Sequence, residues 1–259
     1  MDNLAPRQRT NASPESASQT GRALLKLREM LLRGDFQPGA RISELAMVAR
    51  LGASRTPIRL ALDRLQHEGL LEASPSGGFV VRAFTVADIW DALEMRGLLE
   101  GAAARLAAER LNADRELRPV RKYCDAMDCI LHPNIDAFAR YLDLNEAFHS
   151  AIVDLAKSPM LRQTLDRVVS LPFTSPSALV FARSKLPRAA EILSFAQEQH
   201  HAIVEAIENR QGARAESLAR EHARLSRLNL EIALADRNIL NLVPGGALIQ
   251  PQDRPGTEG

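Results

Sequence analysis

Apolar positions fall into two regimes along the chain. Up to about residue 83 they form short stripes broken by turn residues, and beyond it they recur with a helical period. Leu24, Leu25, Leu27, Leu31 and Leu32 predict a helix from near Thr20 to Arg33-Gly34-Asp35, where Gly34 suits a left-handed cap. Phe36-Gln37-Pro38-Gly39 reads as a turn. Ser43 can cap a helix that runs to about Leu51 and stops at Gly52. Ser54 opens the next helix, and Pro57 falls within its first turn, where proline is tolerated. Ile58, Leu62 and Leu65 stripe its inner face, and the helix ends at Glu68-Gly69. Leu70, Leu71 and Ala73, then Phe79, Val80 and Val81, are strand-like runs joined by Ser74-Pro75-Ser76-Gly77-Gly78, which predicts a β-hairpin. After Ala83-Phe84 the pattern predicts helices near 85–110, 113–131, 135–156, 159–171, 187–210 and 213–236, with Thr85 and Asp88 as a capping box and Asn112, Asn134 and Ser158-Pro159 as starts. Leu171–Phe181, with two prolines, interrupts them. Residues 1–18, rich in Ser, Pro, Asn and Gln, read as a disordered tail, and the Gly/Pro-rich residues 238–259 as a flexible one. The expected architecture is mainly α. A winged helix-turn-helix with a small β-hairpin spans 19–83, and an all-α bundle of about six helices spans 84–237.

Two short helices, a tight turn and a glycine-bearing hairpin, in that order, are how a DNA reader looks in sequence. Arg55, Thr56 and Arg59 lie off the apolar stripe of the second helix, so they face outward. A guanidinium can bridge O6 and N7 of guanine, and a helix N-terminus begun at Ser54 attracts phosphate. Gly77 and Gly78 allow close approach of the hairpin to a minor groove or a phosphate.

Composition sharpens this only in part. The chain of 259 residues is 46% hydrophobic and 4% aromatic, which favours helices over stacked sheets. The net charge of +1 is uninformative. Residues 1–83, however, hold 12 Lys and Arg against 8 Asp and Glu, so the front of the chain is the basic part. Cys124 and Cys129, five apart on one helix, read as free thiols of a reducing compartment. No apolar stretch long enough to span a membrane and no signal core is present, so a cytoplasmic location is expected.

Five of the six histidines follow residue 130. Asn145 and His149 are four apart and share a helix face. His200 and His222 each stand 11 residues from Gln211, on two helices joined there. In an antiparallel hairpin both lie at one height, about 16 Å from the turn. Three neutral imidazoles suit Zn²⁺ or Ni²⁺, with Asn145 adding an amide oxygen. Ordinary packed or surface histidines are the other reading, and the one adopted for His67, His132 and one of the pair His200/His201. Arg96, on the first helix of the bundle, is either a partner for a carboxylate or an interface or surface arginine. The Leu171–Phe181 segment either lines a pocket or merely turns the chain.

Pro38-Gly39, Ile42, Glu44, Leu51-Gly52, Ser54-Arg55-Thr56-Pro57, Arg59, Ala61-Leu62, Leu65, Gly69-Leu70 and Gly78 resemble the winged-helix domain of the GntR family of bacterial transcription regulators. Leu60 departs from it, standing where the family usually has Glu. Met95-Arg96, Leu99-Glu100, Ala103-Ala104-Arg105-Leu106-Ala107, Phe148-His149, His200 and His222 resemble the ligand-binding domain of its FadR subfamily. The resemblance implies a homodimer on a near-palindromic double-stranded DNA operator, with Arg55, Thr56 and Arg59 contacting DNA. It also implies a divalent metal held by His149, His200 and His222, and a small organic-acid effector. The family's acidic ligand stands four residues before the first histidine. Asn145 occupies that place, and Asp143 is about 600° around the helix from His149, on another face. A repressor is the commoner mode in the family. Two other classes are alternatives to it. A metal-dependent hydrolase or lyase lacks a His-Glu-x-x-His motif and an evident general base. An architectural DNA binder would need neither pocket nor metal.

Overall fold

The computed structural model describes residues 14–130, 135–171, 173–178, 189–241 and 243–250. The chain forms two compact units, residues 1–82 and 83–259.

In the first unit, helix α1 (Pro14–Leu32) is followed by strand β1 (Arg41–Ile42), α2 (Glu44–Leu51), α3 (Arg55–His67), β2 (Leu71–Ala73) and β3 (Phe79–Val81). Helix α1 reaches back to Pro14, through part of the stretch expected to be a disordered tail. Residues 1–13 lie outside the described residues. Leu27 and Leu31 of α1 and Ile58, Leu62 and Leu65 of α3 are buried together as the core, because each stripe recurs every three or four residues. Ser43 caps α2 through its hydroxyl, which accepts from Ala46 N–H, and Gly52 ends α2 in the left-handed conformation. The hairpin β2–β3 forms as the sequence predicts. The sheet order is β1-β3-β2, all antiparallel, so a third strand of two residues was not legible. That strand explains Gly78: its φ is +80°, and a Cβ there would stand 3.1 Å from the Ile42 carbonyl oxygen.

In the second unit, α4 (Val86–Arg110), α5 (Arg118–Asp128), α6 (Ile135–Leu155), α7 (Pro159–Val169), α8 (Ala189–Glu208) and α9 (Gly212–Ala235) are the six expected helices. Thr85 and Asp88 close both arms of the capping box on α4. A single 3-10 turn, Asp114–Leu117, precedes α5, so that helix begins later than predicted, with a proline in its first turn. Ala104, Leu117, Val120, Tyr141, Phe148, Ile203 and Ile207 are buried in the main cluster. Helix α8 ends at Glu208 and Arg210 takes φ 56°, which turns the chain tightly into α9. The stretch after 237 is not the expected flexible tail as far as residue 250. Short helix α10 (Arg237–Leu240) leads to Val243, Leu248 and Ile249, all buried, and the Phe84 N–H donates to the Leu248 carbonyl. Three apolar side chains outweigh the turn residues around them. His132 and the Asn134 helix start lie outside the described residues, as do residues 172, 179–181 and 251–259.

Candidate functional site

The first unit presents the start of α3 to solvent. Ser54 has the extended backbone of an N-cap, but its hydroxyl makes no capping bond, contrary to expectation. Ser54 and Thr56 are exposed, whereas Pro57 and Ile58 turn inward. The side chains of Arg55 and Arg59 are 70% and 67% exposed. One residue that the sequence reading did not assign holds both: Glu44, at the start of α2, accepts from Arg55 Nε at 2.9 Å and stands 3.8 Å from Arg59 Nε. A carboxylate one turn-helix step away gathers the two guanidiniums on one face. Gly77 and Gly78 are exposed at the hairpin tip with φ +88° and +80°. Arg41 on β1 donates to Ser74 Oγ at 2.7 Å, which places another exposed cation beside that tip. Its position just before the Ser43 cap was the available signal. Leu60, the departure from the family pattern, is 46% exposed.

The second unit brings His149, His200 and His222 together. One ring nitrogen from each lies within 4.8 Å of the others, and all three residues are buried. Helix α6 carries His149, and the α8–α9 hairpin carries the other two. The equal distance of His200 and His222 from the turn makes them level, with their Nε2 atoms 3.0 Å apart. His149 and His222 stack with ring centroids 5.2 Å apart, and Phe148 lies 4.5 Å from the ring of His200.

Hydrogen bonds define how these rings are presented. Gln197 Nε2 donates to the Cys124 carbonyl at 2.9 Å and to Asp128 Oδ1 at 2.8 Å. Those two acceptors fix the amide orientation, so Gln197 Oε1 is the atom facing His200 Nδ1 at 3.0 Å. His200 therefore donates from Nδ1, and its Nε2 carries a lone pair toward His222. Gln199 Oε1 stands 3.1 Å from His222 Nδ1. Neither glutamine was singled out from sequence; their spacings of three before His200 and one before it give no signal alone. Burial, then Arg96, pushes His149 down to about 3, and burial likewise holds His200 well below the ordinary imidazole range. Buried imidazoles whose ring nitrogens gather this closely are a metal donor set. Two nitrogens on one ion at 2.0–2.1 Å stand about 3–3.4 Å apart, so the His200–His222 pair fits.

Asn145 is buried, one turn before His149, and its Nδ2 donates to Ser177 Oγ at 3.2 Å. Ser177 in turn donates to the Leu142 carbonyl. Asp143 is exposed, on another face as expected. The carboxylate beside the histidines comes instead from α4. Glu100 is buried, with Oε1 3.5 Å from His149 Nδ1 and Oε2 3.6 Å from Arg96 Nε. Burial raises its pKa, which Arg96 partly offsets. Sequence reasoning missed it because α4 and α6 are brought together only by the fold. A small cavity of ≈ 10 Å³, about the room for one water, is lined by Glu100, His149 and His222 among apolar side chains.

Arg96 is not poised for a free ligand. It is 1% exposed, and its Nη1 donates to the carbonyls of Thr174 and Ser175 at 3.0 and 3.1 Å. Nη2 donates to Ser226 Oγ at 2.7 Å. The described part of the Leu171–Phe181 segment is thus tied down by Arg96. His201 lies outside the convergence and pairs with Asp128 at 3.0 Å. Both cysteines are free. Cys124 is buried, and burial pushes its thiol up to about 12, which leaves it unreactive.

Among the described residues no helix is long and apolar enough to cross a membrane. Comparison with known proteins assigns both units. Residues 19–81 match the family described as bacterial regulatory proteins, gntR family, and residues 91–225 match the FCD domain. The Nta operon transcriptional regulator of Aminobacter aminovorans is 35% identical over 130 residues, which cover 50% of this chain and 60% of that one. The chain thus spans less than two thirds of that relative's length. The probable D-xylose utilization operon transcriptional repressor of Paenarthrobacter nicotinovorans is 30% identical over 178 residues, 69% of this chain and 74% of that one. In fold, the chain is similar to the solved structure of E. coli McbR/YncC, with a TM-score of 0.60 at 21% identity over 82% of this chain and 97% of the other.

Proposed function

The chain belongs to the GntR family of bacterial transcriptional regulators, with an FCD domain after its winged helix, and from that premise we propose that it is a metabolite-controlled repressor. It is a regulator and not an enzyme. In this reading it works in the cytoplasm as a homodimer on a near-palindromic operator, read by Ser54, Arg55, Thr56 and Arg59 of α3 and by the Gly77-Gly78 tip. The effector is a small organic acid bound in the helical unit.

One observation carries the effector half of the proposal: three buried imidazoles from three helices each bring a ring nitrogen within 4.8 Å of the others. Burying three imidazoles together in an apolar bundle core is costly unless their nitrogens are engaged, and a divalent ion would engage all three. His149, His200 and His222 would hold a divalent ion, Zn²⁺ or Ni²⁺, with Asn145 adjoining. The ion would supply a Lewis-acidic position for a carboxylate. The chain's own residues orient the site: Gln197 fixes the tautomer of His200, and Phe148 packs against its ring. Arg96 enters as the residue that holds Thr174 and Ser175 beside the bundle, and an anion must compete with those carbonyls to reach it.

Metal analysis of the full chain tests this reading. About one ion per chain is expected, with a rise in melting temperature on adding Zn²⁺ or Ni²⁺, and both are expected to disappear in His200→Ala. Equal metal content in wild type and His200→Ala would remove the site. Organic acids are then screened for loss of operator binding by the metal-loaded protein. Tighter binding would make the protein an activator or co-repressed regulator instead.

A further inference from the structure

We propose that Glu100 is a metal ligand, the carboxylate that completes the three-histidine site from helix α4 in place of an acidic residue at position 145. This rests on the metal reading above and adds a residue to it.

Glu100 is a buried acid without a hydrogen bond. Its side chain is about as buried as the histidines, yet neither Oε1 nor Oε2 has a hydrogen-bond partner, and Arg96 Nε beside it has none either. A buried carboxylate normally accepts several hydrogen bonds, because desolvating it alone is costly. Arg96 does not meet the need. Its two terminal nitrogens are committed to Thr174, Ser175 and Ser226, and Nε remains 3.6 Å from Oε2. The other oxygen faces His149 at 3.5 Å, and the carboxylate opens on the small cavity that His149 and His222 also line. The remaining walls include Ala103, Ile152 and Ala219, which offer no polar atom.

The three ring nitrogens that stand within 4.8 Å of one another do not include an oxygen of Glu100, so a cation held by the imidazoles would draw one of its unpartnered oxygens inward to complete the set. Three nitrogens and one carboxylate oxygen form a donor set suited to borderline divalent ions. The charge arithmetic differs from a site closed by Asn145 alone. A neutral amide adds no charge to a dication in an apolar core, whereas Glu100 as a ligand leaves the ion and its four donors with a single positive charge, beside which Arg96 adds another. That residue of charge suits an anionic effector. Asn145, whose amide nitrogen is engaged with Ser177, is then free of the duty of supplying negative charge.

The experiment is a Zn²⁺ and Co²⁺ titration of the chelator-treated full chain, comparing wild type with Glu100→Gln, Asn145→Ala and His200→Ala. Glu100→Gln keeps the shape and removes the charge. It is expected to weaken Zn²⁺ binding by at least about tenfold, since even residues outside the ligand sphere cost 10–100-fold. It should also change the visible Co²⁺ absorption, which reports the donor atoms, and in metal-free form it should melt no lower than wild type. Zn²⁺ affinity within about threefold of wild type, or an unchanged Co²⁺ spectrum, overturns the proposal and leaves Glu100 as a mere neighbour of His149. If the glutamine variant does not fold, Glu100→Asp keeps the charge and withdraws it by one methylene. The same tenfold loss is expected there, and full retention overturns the assignment. Wild type that binds no ion at all is a different failure, of the metal site itself. His200→Ala losing the ion while Glu100→Gln retains it isolates the failure of this inference.

Discussion

Glu44 sets the terms on which the two outward arginines of α3 meet DNA. Each guanidinium is more than two-thirds exposed and shares that one carboxylate, so pairing in the free protein contributes little to stability. The pairing aligns both cations at the helix start and must yield when a phosphate or a guanine edge takes their place. Arg59→Ala is therefore expected to weaken operator binding by about 1–3 kcal/mol, with the helical signal and the melting temperature unchanged. Glu44→Gln releases both arginines and should strengthen binding to unrelated DNA at low salt more than binding to the operator. Fluorescence anisotropy at two salt concentrations reads both effects. Operator binding untouched by Arg59→Ala would mean that another face of the unit reads DNA. At this scale the sequence was legible for the arginines, whose exposure follows from the helical period alone. It was silent about Glu44, whose role depends on the angle between two helices.

Helices α4 and α9 form the frame that positions the histidine site, and two glycines on α4 determine how closely they lie. At Gly97 an added Cβ would stand 3.2 Å from the Ala223 Cβ, a neighbour that can give slightly. At Gly101 it would meet Arg220 Cγ at 2.6 Å and the Glu216 carbonyl oxygen at 3.1 Å, and the backbone atom cannot step aside. Gly101→Leu is expected to cost about 1–3 kcal/mol in thermal or urea unfolding, as overpacking does. Gly97→Ala should fall within about 1 kcal/mol of wild type, because the gain in helix propensity offsets a mild contact. Equal and small costs at both positions would show that α4 and α9 have room to separate. The helices themselves were legible over most of their described length, since each carries its own apolar stripe. The level pair His200 and His222 was legible too, because counting from a tight turn fixes height in a hairpin. Glu100 was not, for its meeting with His149 joins α4 to α6, and no spacing along one helix announces a contact with another. The two-residue β1 and the packed stretch 243–250 escaped for a related reason: each is stabilised by a distant element and not by its own pattern.

For the whole molecule to act as a switch, occupancy of the helical unit must change DNA affinity, and the coupling must be reciprocal. The structure offers a continuous chain of contacts from the histidine site to the start of the second unit. Glu100 adjoins Arg96, Arg96 holds the carbonyls of Thr174 and Ser175, and Phe173 packs edge-on against Phe84 with ring centroids 5.3 Å apart. Phe84 is the second residue of that unit, and its N–H and C=O are bound to Leu248 and Gln250. An anion that draws Arg96 away from those carbonyls would loosen Phe173 and so the segment that follows residue 83. Contact alone does not establish coupling, so the prediction is quantitative. An organic acid that stabilises the metal-loaded chain should change operator affinity by a factor of about 5–150, and operator DNA should change the affinity for that acid by the same factor. Phe173→Ala leaves the metal donors and Arg96 in place. It is expected to lower that factor severalfold while the acid's affinity for the DNA-free protein stays within about twofold of wild type, the difference between a binding contact and a transmitting one. Isothermal titration of acid with and without operator measures both quantities. A factor that Phe173→Ala does not alter would place the coupling route elsewhere in the bundle, and a factor of one in wild type would make the acid a ligand without a switch.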